Sequence, residues 1–389
     1  MTIREDPGFL LPPGQVSTRD EDSFIAFGLW DHQFADRNHL TVGGGYGETK
    51  FSSGNIANNA PRLDAGIQTN SHLLFAHYAR AFGDFDMKVG GEGYWNETKS
   101  AFSQSSSDEI RLYADGRYKL SEAILLKGQI GLLRRDDQGL TPNDRRNTNL
   151  EYHIGGAYEP VKGHWLRAAV TQETQITTPF TLAPIQTLGL QGNLVPSRRG
   201  EEVRSQVVRW DAEWTDRFFT SVEYQDQETG ALQYFAPDGR QVAVVNNGEL
   251  RRWSVSLNYL LGHNLSLSTD YTQTDSRGIQ GIRVGDRLPF VPKRTAKTSV
   301  VWTHPSRVSV EASGNYIGEQ RSSIFDFTMS PGTAIEDYFT ADITTRWEPL
   351  NKRFQVRAGL VNVFNNKHQV TANVPAPGRA LFLSLETRF

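Results

Sequence analysis

The sequence predicts an all-β fold, an antiparallel up-and-down transmembrane β-barrel with about 16–18 visible strands, read as the larger part of a bigger barrel. Three observations point there. Apolar and polar residues alternate at period two down almost the whole chain, and successive strand side chains point to opposite faces. The alternating segments run about 10–13 residues, close to what a tilted membrane strand needs and longer than usual soluble strands. Linkers alternate between short and long, as in a meander with tight turns at one end and loops at the other.

Residues 1–22, with Asp6-Pro7-Gly8 and Pro12-Pro13-Gly14, read as an outer loop or N-terminal extension, and residues 23–389 as the barrel. Strands are expected to start near residues 23, 38, 71, 85, 108, 123, 148, 165, 202, 217, 251, 264, 293, 307, 335, 354 and 379. Bacterial single-chain barrels normally have an even number, and no apolar signal-peptide core follows Met1, so the chain is expected to continue a longer one. Short turns include Gly83-Asp84, Thr215-Asp216-Arg217 and Gly262-His263-Asn264. Long linkers include Gly54–Asn70, Asp136–Asn147, Gln186–Gly200, Ser276–Leu288 and Arg321–Thr333.

Each strand has one apolar and one polar wall. Ile110, Leu112, Ala114, Gly116 and Tyr118 oppose Arg111, Tyr113, Asp115 and Arg117. Val208, Trp210, Ala212 and Trp214 oppose Arg209, Asp211 and Glu213, and Phe339, Ala341, Ile343, Thr345 and Trp347 oppose Asp342 and Arg346. In the last strand Leu381, Leu383, Leu385, Thr387 and Phe389 oppose Phe382, Ser384, Glu386 and Arg388. Trp214, Phe218, Tyr259, Trp302, Tyr316 and Trp347 fall near the ends of apolar faces, as an interfacial aromatic girdle requires.

Composition excludes other classes. With 22% charged residues and a mean hydropathy of −0.50, no stretch approaches the roughly 20 apolar residues of a spanning helix. The 41 basic and 44 acidic residues are spread along the chain, without the basic cluster of a nucleic-acid binder. Zero Cys excludes thiolate metal sites and thiol nucleophiles.

No catalytic, cofactor-binding or metal-binding residues are expected. The nine His residues show no ligand spacing, and His72 and His77, five apart, face opposite sides of one strand. Gly43-Gly44-Gly45-Tyr46-Gly47 lacks the Lys and Ser/Thr of a phosphate loop and reads as strand packing, with Tyr46 toward lipid. Arg209, Asp211, Glu213, Asp342, Arg346, Glu386 and Arg388 line the lumen. They are either hydrated and paired across strands, or in contact with something that fills the pore.

From about residue 200 the chain resembles the C-terminal barrel of TonB-dependent outer-membrane receptors. Asn246-Asn247-Gly248-Glu249-Leu250 before Trp253–Leu257 is similar to their stretch after an outer loop. Leu288-Pro289-Phe290-Val291-Pro292 looks like their Pro-bearing entry to a late strand. Tyr338-Phe339-Thr340-Ala341-Asp342 with Gly359-Leu360-Val361-Asn362-Val363-Phe364-Asn365 resembles their penultimate strands, and Pro377-Gly378-Arg379 precedes the last one.

The resemblance implies uptake of a scarce ligand across the outer membrane, with the outer loops binding it. Implied partners are outer-membrane lipid, the barrel assembly machinery, and a plug domain and TonB if the full-length chain has them; no nucleic acid is expected. Outer-membrane barrels resemble one another in ending on an aromatic, so Phe389 with Leu385, Leu383 and Leu381 reads as the assembly signal. Neither plug nor TonB segment is visible, which keeps two alternatives open: a secretion or assembly barrel with helical repeats upstream, and an outer-membrane enzyme. Asn55, Asn58, Asn143, Arg145 and Asp326 are expected on the outer face, and His263, Pro305 and Asn351 on the periplasmic face.

Overall fold

A computed structural model of the chain describes residues 2–5, 15–34, 38–57, 63–100, 104–139, 145–175, 186–191, 200–235, 241–245, 247–280, 285, 287–321, 334–348, 354–371, 374–376 and 378–387. Arg388 of the expected lumen wall, Phe389 of the expected assembly signal, and Asn58, Asn143, Asp326 and Asn351 of the expected topology lie outside these residues.

Seventeen strands of eight residues or more dominate the described chain. They are β1 (Gln15–Phe34), β2 (Asn38–Ala57), β3 (Leu63–Phe82), β4 (Phe85–Ser100), β5 (Gln104–Lys119), β6 (Ile124–Gln138), β7 (Arg145–Val161) and β8 (His164–Thr174). Then follow β9 (Glu202–Thr215), β10 (Phe218–Thr229), β11 (Asn247–Gly262), β12 (Leu265–Gln280), β13 (Arg294–His304), β14 (Val308–Ile317), β15 (Tyr338–Trp347), β16 (Phe354–Val361) and β17 (Ala380–Thr387). They pair in chain order within one 18-stranded sheet, whose remaining member, Thr2–Glu5, pairs with Ser17–Asp20 of β1. Two-residue turns such as Gly83-Asp84 and His263-Asn264 close one end; Gly83, His263 and Asn264 take the positive φ such turns need. At the other end four of the linkers carry two-stranded hairpins of their own, for example Leu232–Phe235 with Gln241–Val245.

The first three long strands depart from expectation. β1 begins at Gln15, so Gln15–Asp22 belongs to the ladder rather than to an extension, pairing with Ala57–Lys50. The expected linker Gly54–Asn70 is mostly strand, with Asn55 opposite Leu63. The reason is compositional: Ser17-Thr18-Arg19-Asp20 and Ser52-Ser53-Gly54-Asn55 are polar on both faces, so no apolar alternation marks them. Backbone pairing nevertheless continues through them.

The chain forms two compact units, Met1–Gly156 with Ala169–Gly192 and Arg198–Arg204, and Ala157–Ala168 with Asn193–Ser197 and Ser205–Phe389. In the first unit, Leu74, Leu112, Ile130 and Leu132 stand 51–60% exposed on the apolar face, while Phe75, Arg111, Tyr113 and Leu133 on the other are at most 7% exposed. Two aromatic rows bound the apolar face. Phe82, Phe85 and Tyr118 are in direct register at the short-turn end, and Tyr46, His72 and Trp95 at the other. Ten residues separate Phe85 from Trp95 along β4. At about 3.4 Å per residue and a tilt of about 35–45°, ten residues rise about 25 Å, the height of an outer-membrane apolar band.

The glycine run packs as expected. Tyr46 joins Phe24 and His72 on the apolar face, with ring centroids 6.4 and 5.1 Å away. On the opposite face Phe75 lies directly over Gly43, where a Cβ would collide with its ring. His72 and His77 do face opposite sides, one exposed and one buried.

In the second unit five of the six expected girdle residues share the short-turn end. Phe218 meets Tyr259 edge-on at 5.8 Å, Trp214 Nε1 donates to Thr220 Oγ1 at 2.8 Å, Trp302 stands two residues before the end of β13, and Trp347 ends β15. Tyr316 sits at the opposite end, opposite Phe339, and its hydroxyl donates to Asp337 at 3.0 Å. It belongs to a second aromatic set that the sequence reading missed: Tyr271 shares its cross-strand row through Ala296, and Tyr224 and Trp253, tilted against each other at 4.6 Å, lie one alternate position nearer the loops.

Candidate functional site: the polar face

Register builds the polar face. β4 and β5 pair so that Glu92 lies opposite Arg111 and Asp86 opposite Arg117, and β5 and β6, joined by the short link Leu120–Ala123, pair so that Glu109 lies opposite Arg135. Opposite charges directly across strands attract, so the register is self-consistent. Arg111 is the centre of the first unit's network. Its Nη1 reaches Glu92 Oε1 at 3.0 Å, and its Nη2 reaches Glu151 Oε1 at 3.1 Å. All three side chains are 8% exposed or less. Glu151 also accepts from the Thr174 amide at 3.0 Å. Arg135 Nε donates to both Asp137 oxygens, at 2.9 and 2.8 Å, and His153 lies 3.7 Å from Glu173.

The second unit carries a relay of paired charges. Arg167 reaches Asp211 at 3.4 Å, Asp211 accepts from Arg209 at 2.7 Å, and Arg209 lies 3.8 Å from Glu223. Arg252 joins Glu223 and Gln225, and Gln225 donates to Ser205 at 2.8 Å. The expected lumen residues Arg209 and Asp211 are therefore brought together, paired within and across strands. Glu213 lies at the turn end of β9, its amide donating to Gly163 O at 2.8 Å. Arg346 is exposed opposite Ser309 and Arg357, and Glu386 lies opposite Gln355; Arg388 is not described.

Glu92, Arg111, Glu151 and Arg135 were not singled out from sequence. Alternation puts Arg111 on the polar wall, but only register shows which carboxylates it meets. Chemically the face offers fixed dipoles and paired charges. Among the described residues no group of three His, Asp or Glu is placed to hold a metal ion.

Two distant motifs meet at the loop end. Asp342 Oδ1 accepts from the Asn362 amide at 2.8 Å, and Asn362, buried and at φ 51°, exchanges two 2.9 Å hydrogen bonds with the Asn366 backbone. Asn366 Nδ2 donates to Phe339 O, and Asn365 Oδ1 accepts from the Arg379 amide. One corner thus ties together Tyr338–Asp342, Gly359–Asn365 and the residues before β17. Upstream, Leu288 is buried against Gly248, and its amide donates to Ser276 Oγ at 3.3 Å.

The family described as TonB dependent receptor-like, beta-barrel matches residues 11–363. The chain belongs to that family. The match begins far upstream of residue 200, where the quotable motifs start, so the TonB-dependent receptor barrel includes the first unit. Solved structures agree in fold. The ferric-catecholate import receptor Fiu from K12 E. coli is 13% identical with a TM-score of 0.68, covering 96% of this chain and 64% of its own. The FrpB iron transporter from Neisseria meningitidis gives 13% and 0.70, covering 96% and 63%. The siderophore receptor PiuA from Acinetobacter baumannii gives 12% and 0.70, covering 95% and 64%. The barrel chain therefore spans less than two thirds of these proteins. Among curated proteins no sequence matches.

Proposed function

We propose that this TonB-dependent receptor barrel is the wall of an uptake receptor in the outer membrane of a Gram-negative bacterium. The observation that carries the reading is the two-faced wall: an apolar face about 25 Å tall between aromatic rows, backed by a charged, hydrogen-bonded face. On this reading the apolar face meets lipid, the polar face lines the lumen, and the long loops bind the ligand outside. The named relatives point to a chelated scarce metal such as a ferric siderophore. A plug and TonB would supply gating and energy, and Leu381, Leu383 and Leu385, 83%, 77% and 66% exposed, present the face for the assembly machinery to read.

The test uses cells making the intact protein. Cysteines at Asn55 or Arg145 should react with an impermeant reagent from outside, and those at His263 or Pro305 should not. The same cells should accumulate radio-iron from ferric catecholate only while the proton gradient holds. Reversed labelling would refute the orientation, and correct labelling without uptake of any ferric chelate would refute the cargo class.

A further inference from the structure

The apolar face of the first unit is dented. One cross-strand row runs in direct register from Leu40 through Tyr78, Val89 and Ala114 to Ile130. In the next row Ala76 and Gly91 lie beside Leu112, and a Cβ on Gly91 would come within 2.9 Å of Leu112 Cδ2. Small residues between large ones leave an open groove of about 650 Å³ with no charged side chain in its lining. It lies between the two aromatic rows, and so at hydrocarbon depth on the reading above.

A cation stands at its short-turn end. Arg80 is two residues from Tyr78 on the same strand and face, about 7 Å along β3. It is exposed, and its guanidinium carbon sits 4.4 Å over the Phe82 ring, in the lower aromatic row. Among the described residues no carboxylate pairs with it. An arginine on a lipid-facing wall extends its head to the interface, where the available counter-charge is a lipid phosphate.

We infer that the groove and Arg80 form a site for an anionic glycerophospholipid, the guanidinium holding the headgroup phosphate and one acyl chain lying in the groove. Charge complementarity selects this occupant: a largely apolar trough ending at an unpaired cation matches a chain ending in an anion. The inference rests on the apolar face meeting lipid, and its test separates the two. The full chain would be folded into phosphatidylcholine vesicles with and without phosphatidylglycerol, insertion scored by heat-modifiable migration, and bound lipid by native mass spectrometry.

The expected result is one retained phosphatidylglycerol. One basic residue near an anionic surface is worth about 1 kcal/mol, so Arg80→Gln should lower that preference about fivefold. Ala114→Phe, which fills the groove from its apolar side, should reduce retention of both lipids. Normal insertion without a phosphatidylglycerol preference, or a preference unchanged by Arg80→Gln, would overturn the site. A dimer peak abolished by Ala114→Phe would assign the groove to a second copy and overturn it too. Failure to insert into any vesicle would overturn the membrane reading with it.

Discussion

Arg111→Ala is expected to destabilise the fold by about 3–5 kcal/mol, the cost of breaking a buried ion pair. The reasoning is local. Glu92 and Glu151 are each within 3.1 Å of the guanidinium and nearly inaccessible to water, so deletion leaves two buried carboxylates facing each other. Urea titration of the folded, membrane-inserted chain measures the loss. Arg117→Ala is the comparison: its pair with Asp86 has the same cross-strand geometry but side chains 57% and 43% exposed, so it should cost about 0–1 kcal/mol. A triple change, Arg111→Met with Glu92→Gln and Glu151→Gln, removes every charge together and should recover part of the loss. Equal losses for Arg111→Ala and Arg117→Ala would mean that the first network is hydrated.

Ile130→Arg should cost about 2–4 kcal/mol and Leu126→Arg only about 0–1, because a cation's cost on the lipid face falls from midplane to interface. Ile130 is 57% exposed and lies in register with Val89 and Ala114, midway between the aromatic rows. Leu126 is on the same strand and face but lies opposite Tyr118, inside the lower row. From sequence alone Leu126, Val300 and Val310 are equivalent alternating apolar positions, with nothing to tell their depths apart. The structure keeps Val300 between the rows but puts Val310 opposite Trp302. Depth, unlike face, depends on register. The same refolding titration decides, and equal costs for Ile130→Arg and Leu126→Arg would mean that no membrane band separates the two rows.

This contrast marks what was legible in the sequence. Face is a local property, so period two put Leu112 on the apolar wall and Arg111 on the polar one without any partner strand, and the first is exposed and the second buried. The tight turns were legible for the same reason, each being a few residues of turn chemistry. Strand ends were not: Ser17–Asp22 and Ser52–Asn55 have no apolar side chain at any position, and only pairing makes them strands. The aromatics at the loop end were missed because Tyr224, Trp253 and Tyr271 stand among polar neighbours; cross-strand register brings Tyr224 opposite Trp253 and Tyr271 into line with Tyr316. The Glu92–Arg111–Glu151 cluster needed three registers at once, β4 with β5, β5 with β6 and β6 with β7. The family motifs were legible as separate words, and the Asp342–Asn362 hydrogen bond ties them together in the fold.

The central claim is that one face of this wall meets lipid and the other water. Nitroxide labels placed one at a time from Ile124 to Asp136 on β6 test it most directly, read by collision with oxygen, which partitions into hydrocarbon, and with a water-soluble nickel chelate. The account predicts oxygen maxima at Leu126, Gly128, Ile130, Leu132 and Arg134, nickel maxima at the residues between, and the strongest oxygen signal at Ile130. Collision rates without period two, or nickel reaching Ile130 as readily as its neighbours, would contradict it.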